Sequence, residues 1–108
     1  MEYRPTTRPG ARAPHAWLAD GCSTLDLYGR GFVLLRLGAD APGSDALEAA
    51  FARRKVPLDV VPIAEPSIRA LYERPLVLVR PDGHVAWRSQ AMPADPLAVI
   101  DRVRGAAP

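Results

Sequence analysis

One cysteine, two histidines and a scatter of carboxylates are the residues of this chain that could do chemistry. Cys22 is alone, so it closes no internal disulfide and has no resolving thiol within the chain. A redox thiol works as a thiolate at the start of a helix, where the backbone dipole lowers its pKa. Cys22 stands instead in the turn-rich stretch "ADGCST". His15 and His84 are far apart; His84 begins a strand just past a turn, where a half-exposed polar residue is expected, and His15 has no nearby serine or cysteine on a helix, so both read as structural rather than as general bases. No metal-ligand spacing is present, and structural zinc is not expected. Asp26 and Asp82 both fall in turn contexts, where carboxylates bond backbone amides, so they are not read as a paired acid and base. Trp17 and Trp87 could stack on an aromatic ligand, but rings flanked by strand residues point to packing in a core or between domains. Arg36 is set inside an apolar strand and must find a carboxylate or reach the sheet edge, which marks it for a buried ion pair or a domain contact. No catalytic, cofactor-binding or metal-binding residue is therefore assigned.

The composition bounds what else the chain could be. Its 108 residues suffice for one core and are too few for two. A net charge of +2, with arginines spread among carboxylates, is too small for a nucleic-acid footprint. The one local excess, Arg4, Arg8 and Arg12, reads as a solvated extended arm. No apolar run approaches a membrane span and the N-terminus lacks the apolar core of a signal peptide, so a cytoplasmic chain with no membrane partner is expected.

The elements that must position these residues follow from local pattern. Residues 1–16, rich in proline and without periodicity, are expected to run extended, and residues 17–108 to form one domain. Residues 17–31 read as short strands and turns. "FVLLRL", 32–37, has the unbroken apolar pattern of a strand covered on both faces. Ser44 is placed to cap a helix through about Lys55, with Leu47 and Phe51 aimed at a sheet. "LDVVPI", 58–63, supplies a parallel strand that Pro62 confines to an edge. A short helix follows with Ser67 near its cap and Ile68, Leu71 and Tyr72 on one face. Strands 76–80 and 84–88 form an antiparallel hairpin about Arg80-Pro81-Asp82-Gly83. Asp95-Pro96 starts a last helix, with Leu97, Ile100 and Val103 recurring at three and Gly105 as its stop.

Strand, helix, strand, helix, strand, strand, helix resembles the thioredoxin core. The fold class expected is α/β and thioredoxin-like: a mixed central sheet, with a parallel strand pair plus a C-terminal antiparallel hairpin, flanked by helices. Pro75 and Gly83 fall where that fold places a proline before its third strand and a glycine in its last turn, and by this resemblance the Arg74–Pro75 bond would be cis. The place after the first strand, where a thioredoxin or peroxiredoxin carries its reactive thiol, reads "GADAPGSDAL" and holds no cysteine.

Across the chain, "RPTTRPGARAPHAWL", "STLDLYGRGFVLLRLG" and "RPLVLVRPDGHVAWR" together look like the C-terminal domain of FAD-dependent aromatic-ring hydroxylases, the monooxygenases of phenol hydroxylase and polyketide hydroxylase type. The resemblance implies a non-catalytic terminal module that packs against the FAD-binding domain of the same enzyme or against a second copy of the chain. It also implies FAD and NAD(P)H for the full-length enzyme and no cofactor bound by this domain. No G-x-G-x-x-G follows a strand, in keeping with that reading. The alternative is a free-standing, redox-inactive thioredoxin-like module that binds another protein.

Overall fold

Five apolar side chains and one arginine make Phe32–Leu37 the central strand, β1, of the computed structural model, which describes residues 9–18, 20–29, 31–38 and 41–103. Strand alternation sends Val33, Leu35 and Leu37 to one face and Phe32 and Leu34 to the other. Both faces are covered, as the apolar run requires. Strand β2, Leu58–Ile63, pairs with β1 in parallel, and β3, Leu76–Val79, pairs with it antiparallel. Strand β4, Val85–Ser89, completes the hairpin with β3, giving the order β2-β1-β3-β4. This is the mixed sheet, one parallel pair and the rest antiparallel, that the resemblance implied. Pro62 lies exposed in β2 at the edge, where its missing N–H costs no ladder bond.

Two layers close over the sheet. Helix α1, Asp45–Arg53, and helix α3, Pro96–Val103, pack Leu47, Phe51, Leu97, Ile100 and Val103 on the Leu34–Leu78 face. Helix α2, Pro66–Tyr72, covers the other face with Ile68 and Tyr72, joined by Ala13, Ala16, Leu18 and Leu27 of the N-terminal third. Arg54 Nε and Nη2 reach Asp101 Oδ1 and Oδ2, both at 3.1 Å, tying the end of α1 to α3. Helix α3 begins as expected: the Ala98 amide donates to Asp95 Oδ1 at 3.2 Å and Pro96 occupies the first turn.

Several local expectations need correction. Ser44 stands at the helix start, but its hydroxyl donates to Glu48 Oε2 at 2.6 Å instead of accepting from the backbone. Helix α1 stops at Arg53, because Lys55 adopts a positive φ of 57° ahead of Val56 and Pro57. Glu65, not Ser67, is the residue flanking α2, with Pro66 inside the first turn. The bond before Pro75 is trans. Among the described residues of 17–29 no strands pair; a bridge joins Trp17 to Ser23, and Thr24–Leu27 make a 3-10 turn. The hairpin is shorter than expected on its first strand and is closed by three residues: the Gly83 amide donates to Arg80 O at 2.9 Å with Gly83 at φ 84°. Arg4, Arg8 and the stop at Gly105 lie outside the described residues.

Candidate functional site

The junction of β1 and α1 is where this fold would hold a reactive thiol, and its geometry here is that of a strut. Arg36 turns back over the loop, its Nε donating to Pro42 O at 3.0 Å and its Nη2 to Ala41 O at 3.3 Å. The carboxylate or sheet edge expected for Arg36 is thus replaced by two backbone carbonyls that an irregular loop would otherwise leave to solvent. Beside it lies a cleft of about 250 Å³ lined by Arg36, Gly38, Pro62, Ile63 and Ala64. Arg36→Leu is expected to cost about 1–2 kcal/mol, the range for hydrogen bonds from a charged donor at a part-exposed site. Amide exchange in residues 41–43 and a urea melt would check it.

FAD, the cofactor that the resemblance implies for the whole enzyme, does not fit this junction. A pyrophosphate needs a helix start free of negative charge, whereas the first turn of α1 carries Asp45 and Glu48.

The histidines and the cysteine sit apart from this junction. His15 Nδ1 is hydrogen-bonded to Ser23 Oγ, a serine neighbour that the sequence did not reveal because the two stand eight positions apart with no periodic element predicted between them. Ser23 Oγ also accepts from the Leu25 amide at 3.1 Å, while the Ser23 amide donates to Asp26 Oδ2 at 3.1 Å. Ser23 and Asp26 thereby form a reciprocal cap on the 3-10 turn, and a buried capping hydroxyl is poorly placed to act as a nucleophile. The His15 ring meets Trp17 edge-on, centroids 4.8 Å apart. Trp17 is 68% exposed, so of the two packing roles expected for it the core is excluded, whereas Trp87 packs against the Leu34–Leu78 cluster.

Cys22 is exposed, and the nearby Asp20 carboxylate pushes its thiol pKa up. A raised pKa leaves less thiolate at neutral pH. Ellman's reagent is therefore expected to label Cys22 more slowly than a free thiol at pH 7, and Asp20→Asn to accelerate the labelling. A rate for the wild type at or above that of free thiol would contradict this.

A buried polar network ties the N-terminal segment to the sheet. Tyr72 Oη donates to the Pro14 carbonyl, so the 2.9 Å contact between the two tyrosine oxygens must have Tyr28 as donor. Thr24 Oγ1 gives its proton to the same carbonyl at 2.9 Å and accepts from the Ala16 amide at 3.0 Å. Burial raises both tyrosine pKa values above the ordinary range. Upstream, Gly10 and Ala13 donate to Val85 O and Gly83 O at 2.7 and 2.8 Å, laying the segment along the start of β4. At the hairpin tip Asp82 accepts from Arg80 and from the His84 amide, which pulls its carboxyl down to about 2. His84 Nδ1 lies 3.3 Å from Asp82 Oδ1 without hydrogen-bond alignment.

Among the described residues no helix is long and apolar enough to cross a membrane, and no three histidine, cysteine or acidic side chains gather to hold a metal. The described residues thus define a small α/β domain with a buried tyrosine latch and one exposed tryptophan. The family model described as "Aromatic-ring hydroxylase, C-terminal" matches residues 6–107, and the chain belongs to that family.

Its relatives are much longer. Tetracenomycin B2 monooxygenase-dioxygenase of Streptomyces olivaceus is 39% identical over 91% of this chain and 20% of its own length. Phenol 2-monooxygenase of Pseudomonas sp. (strain EST1001) is 34% identical over 97% of this chain and 20% of its own. Among solved structures, the rebeccamycin biosynthetic enzyme RebC with reduced flavin superposes with a TM-score of 0.91 at 60% identity, over 98% of this chain and 20% of that one. Aklavinone-11 hydroxylase, in ternary complex with FAD and aklavinone, gives 0.73 at 35% identity, over 92% of this chain and 22% of that one. The chain spans about a fifth of the length of these proteins.

Proposed function

We propose that this chain is the non-catalytic terminal module of an FAD-dependent aromatic-ring hydroxylase, with residues 17–108 as its domain and residues 1–16 leading into it. The observation that carries this reading is the family match over residues 6–107 in a chain only a fifth as long as its monooxygenase relatives. The chemistry of such an enzyme, with FAD, NAD(P)H and oxygen, belongs to the other four-fifths. The module contributes packing, against the FAD-bearing region of the same polypeptide or against a second copy, in a cytoplasmic enzyme. The local geometry supports a packing role: the β1–α1 junction is held by Arg36 and Ser44, and the described serine–histidine pair is spent on a cap.

The test is the native polypeptide that carries this segment, captured from its source with an antibody against the domain. A yellow protein about five times the length of this chain, with flavin absorbance, is the expected result. A colourless polypeptide of 108 residues would overturn the reading in favour of a free-standing module that binds another protein.

A further inference from the structure

We propose that Trp17 and Leu25 form the face that docks on the preceding part of the same polypeptide, an inference that rests on the reading above and names the surface it uses. These two are the large apolar side chains left exposed among the described residues, at 68% and 44%. They stand within one short stretch of chain, joined by the Trp17–Ser23 bridge and the 3-10 turn. Beside Leu25 a cleft of about 210 Å³, lined by Arg12, Leu25, Tyr28, Pro81 and Asp82, separates this stretch from the hairpin tip.

The Trp17 ring is held rather than loose. Its backbone is bridged to Ser23, the Leu18 amide donates to Cys22 O at 2.8 Å, and His15, itself fixed by Ser23, stands edge-on against the indole. A large aromatic already fixed in place loses little rotamer freedom on contact, which is the profile of an interface anchor. Scattered single apolar residues need no explanation; a fixed tryptophan with a neighbouring leucine and an adjoining cleft is a patch.

The occupant follows from the lengths. The family is a C-terminal one and the relatives carry about four times this chain's length beyond it, so the covalently joined region is the partner at highest local concentration.

Hydroxyl-radical footprinting of the native long polypeptide, read by mass spectrometry at Trp17 and Leu25, tests the proposal. Several-fold protection relative to the same polypeptide in urea, unchanged on dilution, is expected. Leu25→Glu, at an exposed position, is expected to restore labelling at Trp17 while the domain stays folded. Trp17 labelled in the native long flavoprotein as fast as in urea would overturn the docking face and leave the terminal-module reading intact. Protection that disappears on dilution would make the occupant a second copy and overturn the proposal equally. A short colourless polypeptide would remove both.

Discussion

Phe51→Ala is expected to lower the stability of the domain by about 4 kcal/mol, the usual cost of emptying a buried phenylalanine site. Phe51 is fully buried on α1 and sits edge-on to Phe32, ring centroids 5.7 Å apart, in the cluster formed by Leu34, Leu47, Leu78 and Ile100. With Leu47 and Ala50 it is how α1 leans on the sheet, and α3 closes over the same cluster, so the surroundings cannot collapse into the hole without moving a helix. Domains of this size hold a net stability of only about 5–15 kcal/mol. A loss of this order corresponds to a fall in Tm of about 20 °C. Phe51→Leu, which keeps most of the volume, is expected to cost less than about 1.5 kcal/mol. Urea and thermal melts of the two variants decide the matter; equal and small losses would mean that α1 is not held by this contact.

Tyr72→Phe removes a single oxygen and is expected to cost about 1–2 kcal/mol, since it takes the acceptor from the part-buried Tyr28 hydroxyl and leaves Thr24 Oγ1 as the remaining donor to the buried Pro14 carbonyl. The hydroxyl is the hub between Tyr28 and the Pro14 carbonyl. The loss should fall on the N-terminal segment, with faster amide exchange at Ala13 and Ala16. Tyr28→Phe, which deletes only the outer hydroxyl, is expected to cost less, and the double variant less than the sum of the two, because Tyr28 loses its acceptor once Tyr72 is changed. Alkaline pH probes the same network. Both tyrosines have pKa values raised by burial in the folded state, so the unfolded chain sheds these protons first. Stability is therefore fully present below a pH of about 10 and declines above it. Phenolate absorbance from these two residues should appear together with unfolding and not before it.

What the sequence made legible was whatever a local rule governs. The apolar run at 32–37 demanded a two-sided strand, Pro62 demanded an edge, and Asp95-Pro96 demanded a helix start; each rule acts within a few residues, and each held. Ser44 shows the limit of such rules, because its position was readable while its hydroxyl was captured by Glu48, a competitor one turn away. The trans bond before Pro75 departs from what the resemblance implied, since a likeness of fold does not carry each backbone detail with it. The contacts that make the polar architecture were not legible at all. Tyr28 meets Tyr72 across 44 residues and Arg36 meets carbonyls of an irregular loop, partnerships that depend on how unpatterned chain is laid over the sheet. The exposure of Trp17 belongs to the same class, because an apolar residue in a turn-rich stretch gives no sign of the side it faces.

Pro62 carries one more implication, for how copies of the domain can meet. Open sheet edges are templates for adding foreign strands, the route to fibrillar aggregation. Here one edge strand contains a residue with no amide proton to offer, and the first residue of the other, Val85, is already bonded to the chain's own Gly10 and Ala11. Growth by sheet extension is thus discouraged on both sides, even though an indole stands in solvent a short way off. Self-association of such a domain is steered toward contacts led by side chains, which depend on shape and come apart when a single residue is changed, rather than toward the self-propagating kind.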